Sequence, residues 1–193
     1  MAASGEYFDQ KNFDKEDFTI KPFPKGEFDQ CIFSGCNFSN VDLKDVRFIE
    51  CSFKRCNFSM TVLKQTSLQT VDFEDCKMIG IHFDDCNKFL FTVSFKNCII
   101  NHSSFTNISM KQTIFNNCNL KESDFSGADI SSSVFDHCDL LSVIFENTNL
   151  EKADFSSAYN FSIDPGKNKI RKAKFSSQGL AGLLEKYDLN IIG

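Results

Sequence analysis

Apolar residues recur along this chain at every fifth position. The centres of the five-residue units run Phe8, Phe13, Phe18, Phe23, Phe28, Phe33, Phe38, Leu43, Phe48, Phe53, Phe58, Leu63, Leu68, Phe73, Met78 and Phe83. After a slip of two residues they resume at Leu90. They continue through Phe95, Ile100, Phe105, Met110, Phe115, Leu120, Phe125, Ile130, Phe135, Leu140, Phe145, Leu150 and Phe155. Of the 23 Phe residues, 19 fall on these positions. Two places before most centres stands a small residue, and the remaining three places of a unit are polar. The stretch 51–60, Cys-Ser-Phe-Lys-Arg followed by Cys-Asn-Phe-Ser-Met, shows two units side by side.

Such a period fits neither regular element. On an α-helix every fifth residue is rotated by about 140°, so the centres would wind around the axis. On a flat strand, residues five apart point to opposite faces. The pattern survives only if short extended segments turn a corner every five residues. Within a segment the first and third places point the same way. Both are small or apolar and face inward, while the other places face water. The chain is therefore expected to coil as a solenoid around a filled axis.

The cysteines set the number of units per turn. Cys36, Cys56 and Cys76 are 20 residues apart, as are Cys98, Cys118 and Cys138. The gap between Cys76 and Cys98 is 22, which absorbs the slip. One thiol ladder on successive turns explains this, with Phe38, Phe58, Met78, Ile100, Leu120 and Leu140 as the matching centres. Four units per turn give a square cross-section of seven to eight coils, roughly 36 Å long at the spacing of stacked strands.

All nine cysteines occupy the first place of a unit, which elsewhere holds Ala128, Ala153, Ser103, Ser123, Ser133, Val46, Val71, Val93, Thr61 or Thr66. Cysteine here belongs to a set of small core residues. Buried thiols in a reducing cytoplasm are expected, not a disulfide framework. The N-terminus lacks a basic segment followed by an apolar one, so no signal peptide is read.

Three regions depart from the register. Residues 1–5 are expected to be disordered. In the first coil the inward first places hold Glu6, Lys11, Glu16 and Lys21, and Pro22 and Pro24 flank Phe23. Buried charge is costly, so this end is expected to be only partly wrapped. The slip puts Lys88 at an inward place and Phe89 and Phe91 at outward ones. A corner bulge accounts for it, and exposed aromatics there would alternatively form a contact site.

The repeat domain is bounded at 6–157, leaving 158–193 as a cap. That segment has a turn at Pro165-Gly166 and a basic run at Lys167, Lys169, Arg171, Lys172 and Lys174. Ser177 is expected to cap a short helix whose face is Leu180, Leu183, Leu184 and Tyr187. Leu189, Ile191 and Ile192 follow as candidates for a dimer contact.

Catalytic and ligand-binding signatures are sparse. Neither a dinucleotide-binding nor a P-loop glycine pattern occurs. His82, His102 and His137 fall on three different walls, and cysteines five apart do not have usual zinc spacing. No metal, no cofactor and no enzymatic activity are expected. The net charge of -5 is interspersed, which argues against direct nucleic-acid binding. No apolar run is long enough for a membrane span.

Units such as Cys-Asn-Phe-Ser-Asn at 36–40, Ser-Asp-Phe-Ser-Gly at 123–127 and Ala-Asp-Phe-Ser-Ser at 153–157 resemble the pentapeptide repeat family. The resemblance implies an all-β, right-handed quadrilateral β-helix. The end of the chain, 183–193, is similar to the C-terminus of Qnr-type quinolone-resistance members. That similarity implies a tail-to-tail homodimer whose acidic rod mimics DNA, binds DNA gyrase or topoisomerase IV, and alters quinolone sensitivity.

Candidate acids for such a role are Asp72, Glu74 and Asp75 on one wall. Asp42, Asp45, Asp84, Asp85, Asp124 and Glu146 are assigned to a neighbouring wall. Outward acids show no dominant wall, and lysines are mixed among them. The projecting loops of Gram-negative Qnr-type proteins are also missing, since the slip adds only two residues. A structural scaffold for an unrelated protein partner is the alternative reading.

Overall fold

A computed structural model describes residues 5–190. The disorder expected for 1–5 therefore falls, apart from Gly5, outside the described residues. So do Ile191 and Ile192.

The chain forms a parallel β-solenoid of about eight turns with four walls per turn. Wall one is centred on Phe8, Phe28, Phe48 and Leu68 and contains β1 (Glu6–Asp9), β3 (Gly26–Asp29), β5 (Arg47–Ile49) and β7 (Ser67–Gln69). Wall two is a nine-stranded sheet. Its strands are β2 (Asn12–Asp14), β4 (Ile32–Ser34), β6 (Ser52–Lys54), β8 (Val71–Glu74), β9 (Val93–Lys96), β10 (Ile114–Asn116), β11 (Val134–Asp136), β12 (Asp154–Phe155) and β13 (Lys174–Phe175). Walls three and four are joined by single parallel bridges, such as Asn37 with Asn57 and Ser104 with Asp124. Backbone groups are satisfied between coils: Asn57 N–H donates to the Cys36 carbonyl at 3.0 Å, and Phe58 N–H to the Lys77 carbonyl at 2.7 Å.

The corners are made by left-handed backbone at the fifth place of most units. Asn40, Asp45, Glu50, Arg55 and Met60 have φ of 58°, 63°, 50°, 53° and 59°. A non-glycine residue in that region costs roughly 1–2 kcal/mol. Stacking between coils must offset this cost at nearly every turn.

The axis is filled by rings. On wall two, Phe13, Phe33, Phe53, Phe73, Phe95, Phe115, Phe135, Phe155 and Phe175 form one column with successive centroids 4.5–5.4 Å apart. Rings from wall four meet this column edge-on, as Phe83 does Phe95 at 5.7 Å and 80°. Cys36, Cys56, Cys76, Cys98, Cys118 and Cys138 are buried on one corner, and the wall-three centres Phe38, Phe58, Met78, Ile100, Leu120 and Leu140 are buried beside them.

The first coil is open at its top: Glu6, Lys11 and Lys21 are exposed and Glu16 is half-buried. Glu16 forms an ion pair with Lys21. Gly26 lets β1 settle on β3, because a Cβ there would lie 2.0 Å from the Glu6 carbonyl oxygen. Gly26→Ala is expected to lift the first coil while leaving later coils intact. Faster hydrogen exchange confined to the amides of the first coil would show this, and unchanged protection at 6–14 would refute it.

At the slip the register differs from the count along the sequence. Phe91, not Leu90, turns inward and is buried, while Phe89 and Leu90 are 68% and 60% exposed. Lys88 does not enter the axis either, and its Nζ donates to the Asn107 carbonyl at 2.9 Å. A phenyl ring fills the axis better than a side chain held at the left-handed Leu90 (φ 55°). Deleting Lys88 and Phe89 leaves Cys-Asn-Leu-Phe-Thr, a regular unit. The deletion variant is expected to fold with stability within about 1–2 kcal/mol of the parent. Failure to fold would show that the bulge is required by the coil.

The coil does not stop at residue 157. Tyr159 bridges Asp139, Lys169 bridges Asn149, and Phe155 pairs with Phe175 in β13. Beyond it no α-helix forms among the described residues. Two 3-10 turns, Gln178–Leu183 and Glu185–Tyr187, take its place. Ser177 makes no side-chain cap, and Ser176 Oγ instead accepts the Gly179 N–H at 3.1 Å.

The turn's fit to the coil end is set by Gly182, where a Cβ would lie 2.2 Å from the Phe161 carbonyl oxygen. Phe161 is buried and Leu183 packs against the core. Leu180, Leu184, Tyr187 and Leu189 remain exposed. The expected apolar face is thus not a buried one. The glycines at 179 and 182 weaken an α-helix and favour close backbone contact instead.

Candidate partner-binding surface

The candidate acids do not share adjoining walls. Asp72, Glu74 and Asp75 flank Phe73 on wall two. Asp42, Asp45, Asp84, Asp85, Asp124 and Glu146 flank centres of wall four, on the opposite side of the square. The expectation that the two groups lie on neighbouring walls is not met. A turn visits the walls in order, so segments two units apart lie across the axis.

Most of these carboxylates already have partners. Glu74 lies 2.7 Å from Lys96 and 3.9 Å from Lys54. Asp42 pairs with Lys25 at 3.8 Å, Asp45 with Lys44 at 4.0 Å, and Glu146 with Lys167 at 2.9 Å. Asp84 lies 3.5 Å from His82 and accepts the Thr106 hydroxyl at 3.2 Å. Asp72 accepts the Ser94 hydroxyl, Asp75 the Asn97 amide at 3.0 Å, and Asp124 the Ser126 N–H at 2.8 Å. Cations one coil away interrupt any acidic stripe on these two walls.

Lateral hydrogen bonds tune several aspartates. A Ser156 hydroxyl holds Asp154 below the usual carboxylate range, Ser157 does so for Asp136, Thr19 for Asp17 and Lys186 for Asp164. A depressed folded pKa contributes stability above the unfolded value and loses it as pH falls through the folded one. Unfolding midpoints are therefore expected to be flat near neutrality and to fall as pH drops below about 4. A midpoint that rises on acidification would contradict this.

Wall one carries a feature invisible to a tally by whole walls. Its first three levels carry the exposed Asp9 and Glu50 and the half-buried Glu27 and Asp29 beside one cation, Arg47, which pairs with Glu27 at 2.8 Å. Its last two levels expose Lys152, Lys169, Arg171 and Lys172 beside one acid, Glu151, and these four cations form no ion pair with a described residue. The two ends have opposite sign, and Phe89 and Leu90 protrude between them.

Among the described residues, no group of three His, Cys, Asp or Glu side chains could hold a metal ion. His82, His102 and His137 each face a separate carboxylate, at 3.5, 3.3 and 2.7 Å. All nine cysteines are free and buried. Ladder thiols donate to carbonyl oxygens one coil back, as Cys56 does to Phe33 and Cys138 to Phe115, both at 3.4 Å. Burial pushes the Cys51 thiol up to about 12. Such thiols are poor nucleophiles. A soluble thiol reagent is expected to label none of the nine rapidly in folded protein and all of them after denaturation; prompt labelling of the native state would overturn this. No helix among the described residues is long and apolar enough to cross a membrane.

A family model described as a pentapeptide repeat region matches residues 26–105 and 88–155. Among solved structures, a trypsin-treated variant of QnrB1, a plasmid-mediated fluoroquinolone resistance protein, is 19% identical. It covers all of this chain and 94% of its own, with a TM-score of 0.65. Full-length QnrB1 is 15% identical over 95% of this chain and 100% of its own, with a TM-score of 0.55. Among curated proteins, none matches.

Proposed function

The chain belongs to the pentapeptide repeat family, and from that premise we propose that it is a non-catalytic protein-binding rod whose partner is a type II topoisomerase, DNA gyrase or topoisomerase IV. There it would occupy part of the DNA channel and alter quinolone sensitivity. The observation that carries this reading is the end-to-end likeness in fold to QnrB1, which covers all of this chain. A rigid acidic rod can enter a basic channel by electrostatic complementarity.

A supercoiling assay with purified gyrase, with and without a quinolone, tests it. Added protein is expected either to slow supercoiling or to restore it in the presence of drug. No effect in either arm at micromolar protein would sink the proposal.

One observation favours a second reading, a scaffold for an unrelated protein. Four of the nine candidate acids, Asp42, Asp45, Glu74 and Glu146, already face a lysine. A mimic of DNA needs carboxylates free to replace phosphates. A silent gyrase assay together with reproducible capture of one different protein, confirmed with purified components, would decide for the scaffold.

A further inference from the structure

We propose that wall one is a self-complementary surface on which a second copy of this chain docks side by side and antiparallel. Nine levels stack along this wall. Their inward residues are Phe8, Phe28, Phe48, Leu68, Phe91, Met110, Ile130, Leu150 and the half-buried Ile170. The fifth of the nine is Phe91, the level of the bulge. A two-fold axis through that level would set level one of one copy against level nine of the other, two against eight, and three against seven.

Under this operation the two ends bring opposite net charge together, while the inner levels are mixed: Glu151 stands beside Lys152 opposite Glu27 and Asp29, and Glu50 faces the level of Asp129. Asp9 meets the level of Lys169, Arg171 and Lys172. Glu27 and Asp29 meet the level of Lys152. Arg47, paired within its own copy with Glu27 at 2.8 Å, meets the level of Asp129, whose own partner Lys111 is 3.3 Å away. Between them lie uncharged or singly charged levels with Ser67, Gln69, Ser109 and Gln112. The same shift that makes the wall bipolar makes it complementary to itself, which is the requirement of an isologous contact.

The apolar part of the wall lies at the centre. Phe89 and Leu90 are 68% and 60% exposed. Asn87 Oδ1 accepts the Phe89 N–H at 2.9 Å and holds the bulge in shape. Under the two-fold operation the two Phe89–Leu90 pairs meet across the axis, with the exposed Lys88 of each copy, held to its own Asn107 carbonyl at 2.9 Å, beside them and polar levels around. That is the arrangement of a specific interface, with an apolar centre and a polar rim. Wall one is about 38 Å long over eight steps. Covering it on both copies removes on the order of 1,000 Å², the low end for specific complexes. The contact is therefore a reversible one that depends on concentration and salt. It holds whichever protein the rod binds, and it uses no residue of the C-terminal turns.

Sedimentation velocity on the full chain tests it with the parent and three variants. One reverses the acidic end, Asp9→Lys, Asp29→Lys and Glu50→Lys. Another reverses the basic end, Lys152→Glu, Lys169→Glu and Lys172→Glu. All six positions are exposed or half-buried and outward, and circular dichroism checks that each variant folds.

The parent is expected to associate at low salt and to dissociate at about 0.5 M salt, where screening is short-ranged. Each reversed variant alone is expected to remain monomeric, because like charges then face each other at both ends. Mixed together they are expected to form a one-to-one heterodimer, since one variant is basic at both ends and the other acidic. Phe89→Ser with Leu90→Ser is expected to weaken association of the parent about tenfold. A parent that stays monomeric at low salt overturns the proposal. So does a dimer that survives either reversal, which would place the contact elsewhere, or a mixture that fails to associate.

Discussion

Phe115→Ala is expected to lower the free energy of unfolding by about 3–5 kcal/mol. Phe115 is fully buried near the middle of the wall-two column, with its neighbours Phe95 and Phe135 at 5.1 and 4.8 Å. It also meets Phe105 and Phe125 edge-on at 6.2 and 6.0 Å. The strands on either side are locked in register, so the column cannot close over a missing ring, and the cavity remains.

In a solenoid each coil contacts only its neighbours. The loss therefore falls on the interface between adjoining coils and uncouples the two halves. Urea titration followed by circular dichroism measures it. The matching variant at the open end, Phe8→Ala, loses a half-buried ring with one stacked partner, Phe28 at 4.5 Å. It is expected to cost less than half as much. Equal losses at both positions would show that stacking along the axis does not carry the stability.

Ala128→Asp is expected to be at least as damaging, by about 3–5 kcal/mol or loss of folding. Ala128 is buried at a first place, and its N–H donates to the Phe125 carbonyl at 3.0 Å. A carboxylate there would enter an axis of rings and aliphatic chains with no cation to meet it. The place that Ala128 fills is held in the first coil by Glu6, Lys11, Glu16 and Lys21, and there charge is tolerated because the coil is open. Glu16→Ala is accordingly expected to change stability by less than about 1 kcal/mol. Thermal unfolding of the two variants side by side checks the contrast. A large loss at Glu16, or a small one at Ala128, would mean that the first coil is closed or the axis is wet.

Much of the fold was legible in the sequence and little of the candidate surface was. Period five, the 20-residue spacing of the cysteines and the charges of the first coil follow from alternation and burial, which act locally. The slip was visible, but its register was not. Two apolar residues, Leu90 and Phe91, compete for one inward place, and only the space left above Leu68 settles the choice. The C-terminal segment misled for a related reason. Leu180, Leu183, Leu184 and Tyr187 have helical spacing, yet the approach of Gly182 to Phe161 selects tight turns. The acids face outward as their places in the unit require, and the count of units alone sets the two groups across the axis and not on neighbouring walls.

By itself the sequence determined that the chain coils in four-unit turns around rings and thiols, since no other arrangement hides residues spaced by five. Tertiary structure decided what the outside of the coil presents. Stacking brings residues 20 apart within reach of each other, and so it fixes which acids are neutralised, which cations stand free and which way each wall is polarised. Inward places are chosen by the solvent, one unit at a time. Outward charges act over several ångströms and across coils, and their pattern exists only once the coils are in register.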